Sequence, residues 1–250
     1  MSDSAADTLT PATAPNLPPL YKALEPVTPE RHGKLKLNNT GFGFAAQMHA
    51  VPLAAEEFAA ACRSMPIVFT AQAPHVPLGL CGLQAGHNHF VSADGKWHEG
   101  SYVPAYLRRY PFFLVRVSPE SQQLVLCVDP QAAQVSATDG DDLFTADAKP
   151  SAMLDRAFTF TKAVEEAMLR TRALAEGLAE MGLLKASVVQ FQHQDKPMRV
   201  DGFFAVDRAA LAALSAEQLV LLRDRGWLEA IYAHLMSIGG MGELARDIQA

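Results

Sequence analysis

The stretch Tyr102-Val103-Pro104-Ala105-Tyr106-Leu107-Arg108-Arg109-Tyr110-Pro111-Phe112-Phe113 combines three tyrosines, two adjacent arginines and two prolines. It leads directly into the apolar run Leu114–Val117, which we interpret as a core strand. An arginine-rich aromatic segment joined to a core strand holds its guanidinium groups with little freedom, which suits recognition of an anion or a carboxylate. The same residues also suit a buried ion pair that braces the fold. We refer to residues 102–113 as the Tyr/Arg segment.

Outward from this segment, apolar runs bounded by turn residues predict strands. Phe113–Val117 and Leu124–Val128 are joined by a short turn at residues 118–121, which predicts a central antiparallel hairpin covered on both faces. The Asp94-Gly95 pair predicts a second, smaller hairpin between residues 89 and 97. Further strands are predicted at Leu35–Leu37, Ile67–Thr70, Val76–Leu83, Val188–Gln192 and Arg199–Val206, the last two joined around Asp195-Lys196-Pro197.

Helical patterns dominate the second half of the chain. From residue 151, apolar residues fall near one helical stripe, and Gly182 is a natural terminator, so we predict a helix of about 25–30 residues. The stripe consists of Leu154, Phe158, Val164, Met168, Leu174, Leu178 and Met181. Asp207 is expected to cap one helix, a capping box at Ser215–Gln218 to open the next, and Gly226 to end it before a helix at Trp227–Met236. A short last helix is predicted at Glu243–Ile248, and an earlier one from Pro52 to Met65, where Pro66 ends it.

These elements predict the α+β class, with a mostly antiparallel sheet from residues 66–129 and 188–206 and helices mainly from the C-terminal half. Residues 1–34 form a flexible Pro/Ala-rich tail in this interpretation, with Leu17–Leu24 docking on the domain, because they hold a large share of the prolines. Residues 35–250 form a single α+β domain. Residues 130–150 are polar and are predicted to be a loop, with Leu143 and Phe144 as its buried anchor.

Composition excludes several functional classes. A net charge of −6 over 250 residues argues against a nucleic-acid partner, which requires a basic surface. The cysteines Cys62, Cys81 and Cys127 form no C-x-x-C pair, so we expect free buried thiols rather than disulfides or a zinc site. The sequence has no transmembrane stretch and no signal peptide, which predicts a cytoplasmic protein unless a signal-independent route exports it.

Compact catalytic motifs are missing from the sequence. His87-Asn88-His89 has the spacing of two metal ligands, but it lacks a suitably placed third ligand, and we favour a surface position on an edge hairpin. No nucleophile elbow, phosphate loop or dinucleotide fingerprint is present. We therefore predict no metal and no cofactor, and we favour a non-enzymatic protein.

Arg108 and Arg109 are the strongest polar signal. In an extended segment, consecutive side chains point to opposite faces, so one guanidinium is expected to face inward and one outward. The inward arginine must be paired, and Asp129 is the candidate partner. The alternative is a site for a small anionic ligand, whose candidate residues are Tyr102, Tyr106, Arg108, Arg109, Tyr110, Asn88, Asp129 and His49.

Several blocks together resemble the SapC family, which is named after a bacterial surface-layer locus. The matching blocks cover nearly all of residues 45–240. They are His49–Phe58, Met65–Thr70, Asp94–Trp97, Tyr102–Phe112, Leu126–Asp129, Leu143–Phe144, Asp201–Phe204 and Gly226–Leu235. The resemblance implies a bacterial protein associated with the surface layer or its export, and it assigns no catalytic residues.

Two functions follow from these observations. The first is a non-enzymatic interaction protein whose partners are surface-layer or export components. The alternative is a small-molecule binding protein or an enzyme, acting on a carboxylate or peptide-like ligand through the Tyr/Arg segment. Arginines that converge on an open pocket would favour binding, whereas arginines locked to carboxylates under cover would favour a structural role. The sequence does not specify the oligomeric state.

Overall fold

A computed structural model of the chain describes residues 17–116, 123–194 and 196–247. The strands are β1 (Glu25–Pro26), β2 (Lys36–Leu37), β3 (Ala50–Pro52), β4 (Ile67–Thr70), β5 (Pro77–Leu80), β6 (Phe112–Arg116), β7 (Leu124–Val128), β8 (Val135–Ser136), β9 (Asp141–Asp142), β10 (Leu184–His193) and β11 (Lys196–Val206). The α-helices are α1 (Pro29–His32), α2 (Phe58–Ala61), α3 (Ala105–Arg108), α4 (Ala152–Glu180), α5 (Arg208–Ala212), α6 (Ala216–Asp224) and α7 (Trp227–Ser237). Three segments are 3-10 helices: Gly43–Ala45, Ala55–Glu57 and Ile238–Asp247.

The α+β class is confirmed, and every pairing between the described strands is antiparallel. The strands form three sheets, ordered β1-β7-β6, β10-β11-β4-β5-β3 and β8-β2-β9. The hairpin of β6 and β7 is also confirmed. Its predicted central position is wrong, because it pairs with β1 in a small sheet of its own. The turns predicted at residues 118–121 and at Asp195 lie outside the described residues.

The chain divides into two compact units. Unit 1 is built from residues up to Phe44 and from Arg109–Glu165. Unit 2 is built from Ala45–Arg108 and from Glu166 onward. The single domain over residues 35–250 stays a prediction.

Unit 1 contains the two three-stranded sheets. Its core consists of Phe112, Val128, Leu143, Phe144 and Leu154, all less than a tenth exposed. Leu143 and Phe144 thus anchor the polar loop as predicted, and β8 and β9 within that loop pair with β2. Because both loop strands are only two residues long, their side chains carry no periodic signal that could have revealed them.

An N-terminal strap, residues 17–28, completes the sheet of β6 and β7. The Tyr21 hydroxyl donates to the Phe112 carbonyl at 2.7 Å, and the Lys22 amide donates to the Asp129 carboxylate at 2.8 Å. Tyr21 and Leu24 are buried, so residues 17–24 dock as expected. The sequence assigns residues 25–34 to the tail, yet they form β1 and α1. Residues 1–16 lie outside the described part of the chain.

Unit 2 is organised around the five-stranded sheet. Val68, Phe203 and Ala205 pack with Met241 on one face of this sheet. The strand predicted at Ile67–Thr70 is confirmed residue for residue, and the predicted C-terminal hairpin is confirmed as β10 and β11. The strand predicted at Val76–Leu83 is shorter, and the predicted hairpin around Asp94-Gly95 is reduced to a bridge between Val91 and Trp97.

The long helix α4 has 29 residues, which confirms the predicted length. The buried face of α4 differs from the predicted stripe of apolar residues, because Phe158 is exposed while Thr161 and Thr171 are buried. Both threonines donate to the carbonyl four residues earlier, at 2.7 and 2.8 Å, so their hydroxyl groups are satisfied inside the core. A pattern of apolar residues alone cannot find such positions.

Helix boundaries follow the capping chemistry of the sequence, with one correction. The Asp207 carboxylate accepts from two amides of α5, and Ser215 and Gln218 form the capping box of α6. Gly226 adopts φ = 70°, a conformation that favours glycine, and separates α6 from α7. The helix predicted from Pro52 is wrong at its start, since Pro52 ends β3 and helical structure begins at Ala55. No described helix combines the length and the apolarity that crossing a bilayer requires.

The side chain of His234, on α7, takes the place of a direct backbone pairing between β4 and β11 in the five-stranded sheet. Phe204 pairs with Phe69, and continuing this register by two residues would place Val206 opposite Ile67. There the imidazole lies between the strands: Nε2 accepts from the Val206 amide at 3.0 Å, and Nδ1 donates to the Ile67 carbonyl at 2.8 Å. The side chain is fully buried, so these bonds fix it as the neutral tautomer protonated on Nδ1.

We expect His234→Ala to lower the free energy of unfolding by about 2–5 kcal/mol, because it leaves a cavity and two buried backbone groups unsatisfied. Urea denaturation followed by circular dichroism measures this change. The control is His87→Ala, which alters an exposed histidine of the same unit and should change stability by less than about 0.5 kcal/mol. Equal stability of the two variants would contradict the bridging role.

Stability should also depend on pH through His234. Burial lowers the pKa of His234 from 6.5 to about 4. Above pH 6.5 the side chain is neutral in both states, and its contribution is complete. As the pH falls from 6.5 towards 4, the unfolded chain binds a proton that the folded chain does not, so the stability falls by up to about 3 kcal/mol.

Unfolding free energies of wild type and His234→Gln, measured between pH 4 and 7, isolate this contribution because the other titrating groups are common to both proteins. The difference between the two should shrink as the pH falls. A difference that stays constant over this range would show that His234 titrates normally.

Candidate functional site

The Tyr/Arg segment is not extended, which corrects the sequence prediction. Ala105–Arg108 form the single helical turn α3, and the strand begins only at Phe112. The amide of Ala105, at the start of this turn, donates to the Glu57 carboxylate at 2.7 Å. The segment therefore coils because a buried carboxylate binds the free amide at the start of its first turn.

Glu57 organises the part of the segment that belongs to unit 2. Its carboxylate is buried and also accepts from the Ala54 amide at 2.9 Å and from the Tyr102 hydroxyl at 2.9 Å. Arg108 is exposed and donates to the Tyr102 hydroxyl at 3.3 Å and to the Val103 carbonyl at 3.1 Å. Sequence reasoning included Glu57 only in the helix predicted from Pro52 and missed this role.

Tyr102 is held in its neutral form. Burial, together with the adjacent Glu57 charge and hydrogen bond, raises the pKa of Tyr102 to about 12. The phenol therefore donates to Glu57 throughout the physiological range. It cannot act as a base near neutral pH, because its ionised form is too rare.

Arg109 is the inward arginine, with only 4% of its surface exposed. Its Nη1 lies 3.6 Å from the Glu165 carboxylate, and its guanidinium carbon lies 4.2 Å from the centre of the Phe113 ring. The burial of Arg109 and the exposure of Arg108 agree with the sequence prediction. The two side chains point in different directions because of the helical turn, however, and not because of strand alternation. The carboxylate facing Arg109 is Glu165 of α4, which sequence reasoning did not consider.

Asp129, the predicted partner of the inward arginine, is fully buried, and its carboxylate accepts hydrogen bonds from backbone amides and a phenol instead. It accepts from the Lys22 amide at 2.8 Å, the Gln131 amide at 2.9 Å and the Tyr110 hydroxyl at 3.3 Å. Burial, reinforced by the Asp129 charge, raises the pKa of Tyr110 well above its usual value. Asp129 therefore joins the N-terminal strap to the end of β7.

The remaining candidate residues have separate surroundings. Asn88 is buried, and its amide donates to the Ala45 carbonyl at 3.0 Å while its oxygen accepts from the Phe90 amide at 2.9 Å. Tyr106 is buried within α3. The side chain of His49 is exposed, and its backbone carbonyl accepts from the amides of two residues after β5. All three belong to unit 2.

The structure thus divides the candidate residues into two groups. Tyr102, Tyr106, Arg108, Asn88 and His49 belong to unit 2, whereas Arg109, Tyr110 and Asp129 belong to unit 1. Within these groups, Tyr102 and Arg108 meet at Glu57, and Tyr110 meets Asp129. The polar groups of both clusters bind the chain itself. A ligand-binding role for these residues stays a prediction.

We compared the candidate residues with the linings of three cavities within the described residues. His49 contributes to the lining of one of them, and the other candidate residues line none of the three. Across the described ranges, no group of three or more His, Cys, Asp or Glu side chains could hold a metal ion. Of the free cysteines, Cys81 and Cys127 are buried and Cys62 is half-buried. Burial raises the pKa of both buried thiols to about 12, so neither is reactive at neutral pH.

The histidine pair of the H-x-H motif lies outside any strand. His89 is half-buried, and its ring packs against Phe90 and against His98, whose centroid is 5.3 Å away. The predicted position of this pair on an edge hairpin is therefore wrong. His87 is exposed on the neighbouring loop.

Comparison with protein families finds a match to SapC over residues 27–244. The match spans far more than half of the sequence. The chain belongs to the SapC family. No curated protein and no solved structure matches it significantly. The SapC match includes α1, both halves of the Tyr/Arg segment and every candidate residue described above, so these features lie within the part of the chain that the family shares.

We expect Arg109→Ala to destabilise this SapC protein by about 2–4 kcal/mol, since it removes a buried guanidinium from Glu165 and Phe113. Arg108→Ala should cost less than about 1 kcal/mol, because its contacts are exposed to solvent. Thermal and urea denaturation compare the two neighbouring variants directly. Similar losses in both would contradict the different roles assigned to the two arginines.

Proposed function

We propose that this protein is a non-enzymatic interaction protein of a bacterium, associated with the surface layer or with its export machinery. Membership of the SapC family supports this proposal, because the family takes its name from a surface-layer locus. The contacts of the Tyr/Arg segment also support it. Arg109 faces a carboxylate under cover, and Tyr102 and Tyr110 donate to buried carboxylates, which is the arrangement expected of a scaffold.

The observation that carries the proposal is the exposed apolar surface of two consecutive helices in unit 2. Tyr232 and Met236 are 52% and 67% exposed, and they lie one helical turn apart on the same side of α7. The neighbouring helix α6 exposes Leu219, Val220 and Leu221. Exposed aromatic and methionine side chains on adjacent helical turns are typical of surfaces that pack against a protein partner.

In this proposal, the location of the protein in the cell depends on which partner it binds. A protein that assists surface-layer export can act from the cytoplasm, whereas one that joins the layer acts outside the cell. The alternative function, binding of a carboxylate or peptide-like ligand by the Tyr/Arg segment, has less support because the polar groups of that segment bind the chain itself.

Fractionation of the native bacterium with a tagged protein tests the proposal. We expect wild type to co-sediment with the envelope and to be crosslinked there to a surface-layer or export component. The double variant Tyr232→Ser/Met236→Ser should lose at least about 90% of that association, because it removes the exposed apolar contact area.

The matched control is Leu169→Ser/Val188→Ser, which removes two apolar side chains of similar exposure, 50% and 46%, elsewhere in unit 2. This control should associate as well as wild type. Recovery of wild type solely in the cytosol, with no envelope or exporter partner crosslinked, would refute the proposal. Equal loss in both double variants would refute the role of α7.

A further inference from the structure

A charged cavity lies in unit 2 where the 3-10 helix Ala55–Glu57, the middle of α4 and the start of α7 meet. Its volume is about 240 Å³. The residues that give it chemical character are Glu56, Arg170, Leu174, Arg225, Trp227 and Glu229. None of them belongs to the Tyr/Arg segment or to the exposed surface of Tyr232 and Met236.

The four charged side chains of the cavity are not equivalent. Arg170 and Glu56 form an ion pair at 2.7 Å and neutralise each other. Arg225 and Glu229 line the same cavity, and neither forms an ion pair with any residue in the described ranges. The cavity therefore presents one cation and one anion whose charges are not matched by the protein.

The indole of Trp227 holds the cation in place. The guanidinium carbon of Arg225 lies 4.7 Å from the centre of the indole ring, a cation–π contact that leaves its N–H edges available for hydrogen bonds. The ring itself is fixed against α4, because a Cβ atom at Gly177 would lie 2.4 Å from two ring atoms. Leu174 and Ala230, both buried, add an apolar part to the lining.

The charges, the indole ring and the size of the cavity determine which kind of ligand it can bind. An arginine with free N–H edges binds a carboxylate in a bidentate manner, and a glutamate binds an ammonium group. A cavity of about 240 Å³ is smaller than the 300–1,000 Å³ typical of drug-sized ligands, so its occupant is small. We propose that this cavity binds a zwitterionic α-amino acid, with the carboxylate on Arg225, the ammonium on Glu229 and the side chain against Trp227 and Leu174.

This inference goes beyond the proposed function, because it assigns small-molecule binding to a site that the interaction surface does not use. It also assigns the carboxylate recognition expected of the Tyr/Arg segment to a different arginine, Arg225. Partner binding through α7 and amino-acid binding in the cavity can therefore succeed or fail independently.

NMR titration of the full chain tests the inference, because the protein has only two tryptophans and hence two indole N–H signals. Trp97→Phe assigns them. Phenylalanine, leucine, alanine and glutamate, followed by the other standard amino acids, are added to the ¹⁵N-labelled protein. We expect at least one to shift the Trp227 signal saturably while Trp97 stays unchanged, with a dissociation constant of about 0.1–1 mM.

Charge-blocked ligands and variants then identify the contacts. The N-acetyl and the amide derivatives of the binding amino acid should each bind at least about tenfold more weakly, as should Arg225→Gln and Glu229→Gln. The matched control is Arg223→Gln, an exposed arginine of α6 that pairs with Asp224 and does not line the cavity, and it should bind like wild type. Circular dichroism spectra verify that each variant is folded.

Two results would overturn the inference. The first is the absence of a saturable Trp227 shift with every standard amino acid up to about 10 mM. The second is equal affinity of wild type and Arg225→Gln, or equal affinity for the free and the blocked ligands. Neither result would bear on the fractionation experiment, which depends on Tyr232 and Met236.

Discussion

The imidazole of His234 joins α7 to the five-stranded sheet, and much of unit 2 depends on this junction. It bonds the Val206 amide and the Ile67 carbonyl, two buried backbone groups that would otherwise lose their partners where β4 and β11 part. Ser237, one turn later, accepts from the Ile67 amide at 2.8 Å, so both polar groups of one strand residue are bound by one helix. The helix therefore cannot move from the sheet without exposing unsatisfied polar groups, and the junction holds only while the imidazole is neutral.

The same principle recurs at two buried carboxylates. Glu57 and Asp129 each accept from two backbone amides and one phenol, so each carboxylate fastens separate segments of its own unit. Residue types that carry chemistry in enzymes are used here to satisfy the backbone. Arg225, which has no ion-pair partner among the described residues, lies just before α7, and Met236, which has a large exposed apolar area, lies on α7. For this reason we place both proposed activities there.

Local patterns predicted the local structure well. The β-branched run Ile67–Thr70, the length of α4 and the capping box at Ser215 depend on neighbouring residues, which the sequence displays directly. Sheet membership depends on distant pairing, so the separation of the β6–β7 hairpin from the large sheet was not predictable. The candidate site shows the same limit. The burial of one of the two adjacent arginines was predicted from strand alternation, although the segment forms a helical turn. Its partner Glu165 is a helix residue that no motif singles out.

The interleaved order of the two units affects how a nascent chain can fold. Unit 1 has all its segments once residue 165 has left the ribosome, but unit 2 still lacks those that follow. The Ile67 carbonyl lacks its native hydrogen-bond partner until His234, 167 positions later, has been synthesised. During synthesis, the apolar strand β4 therefore stays incomplete until translation has almost ended. Such a delay prolongs the interval in which the apolar residues of β4 lack their native neighbours.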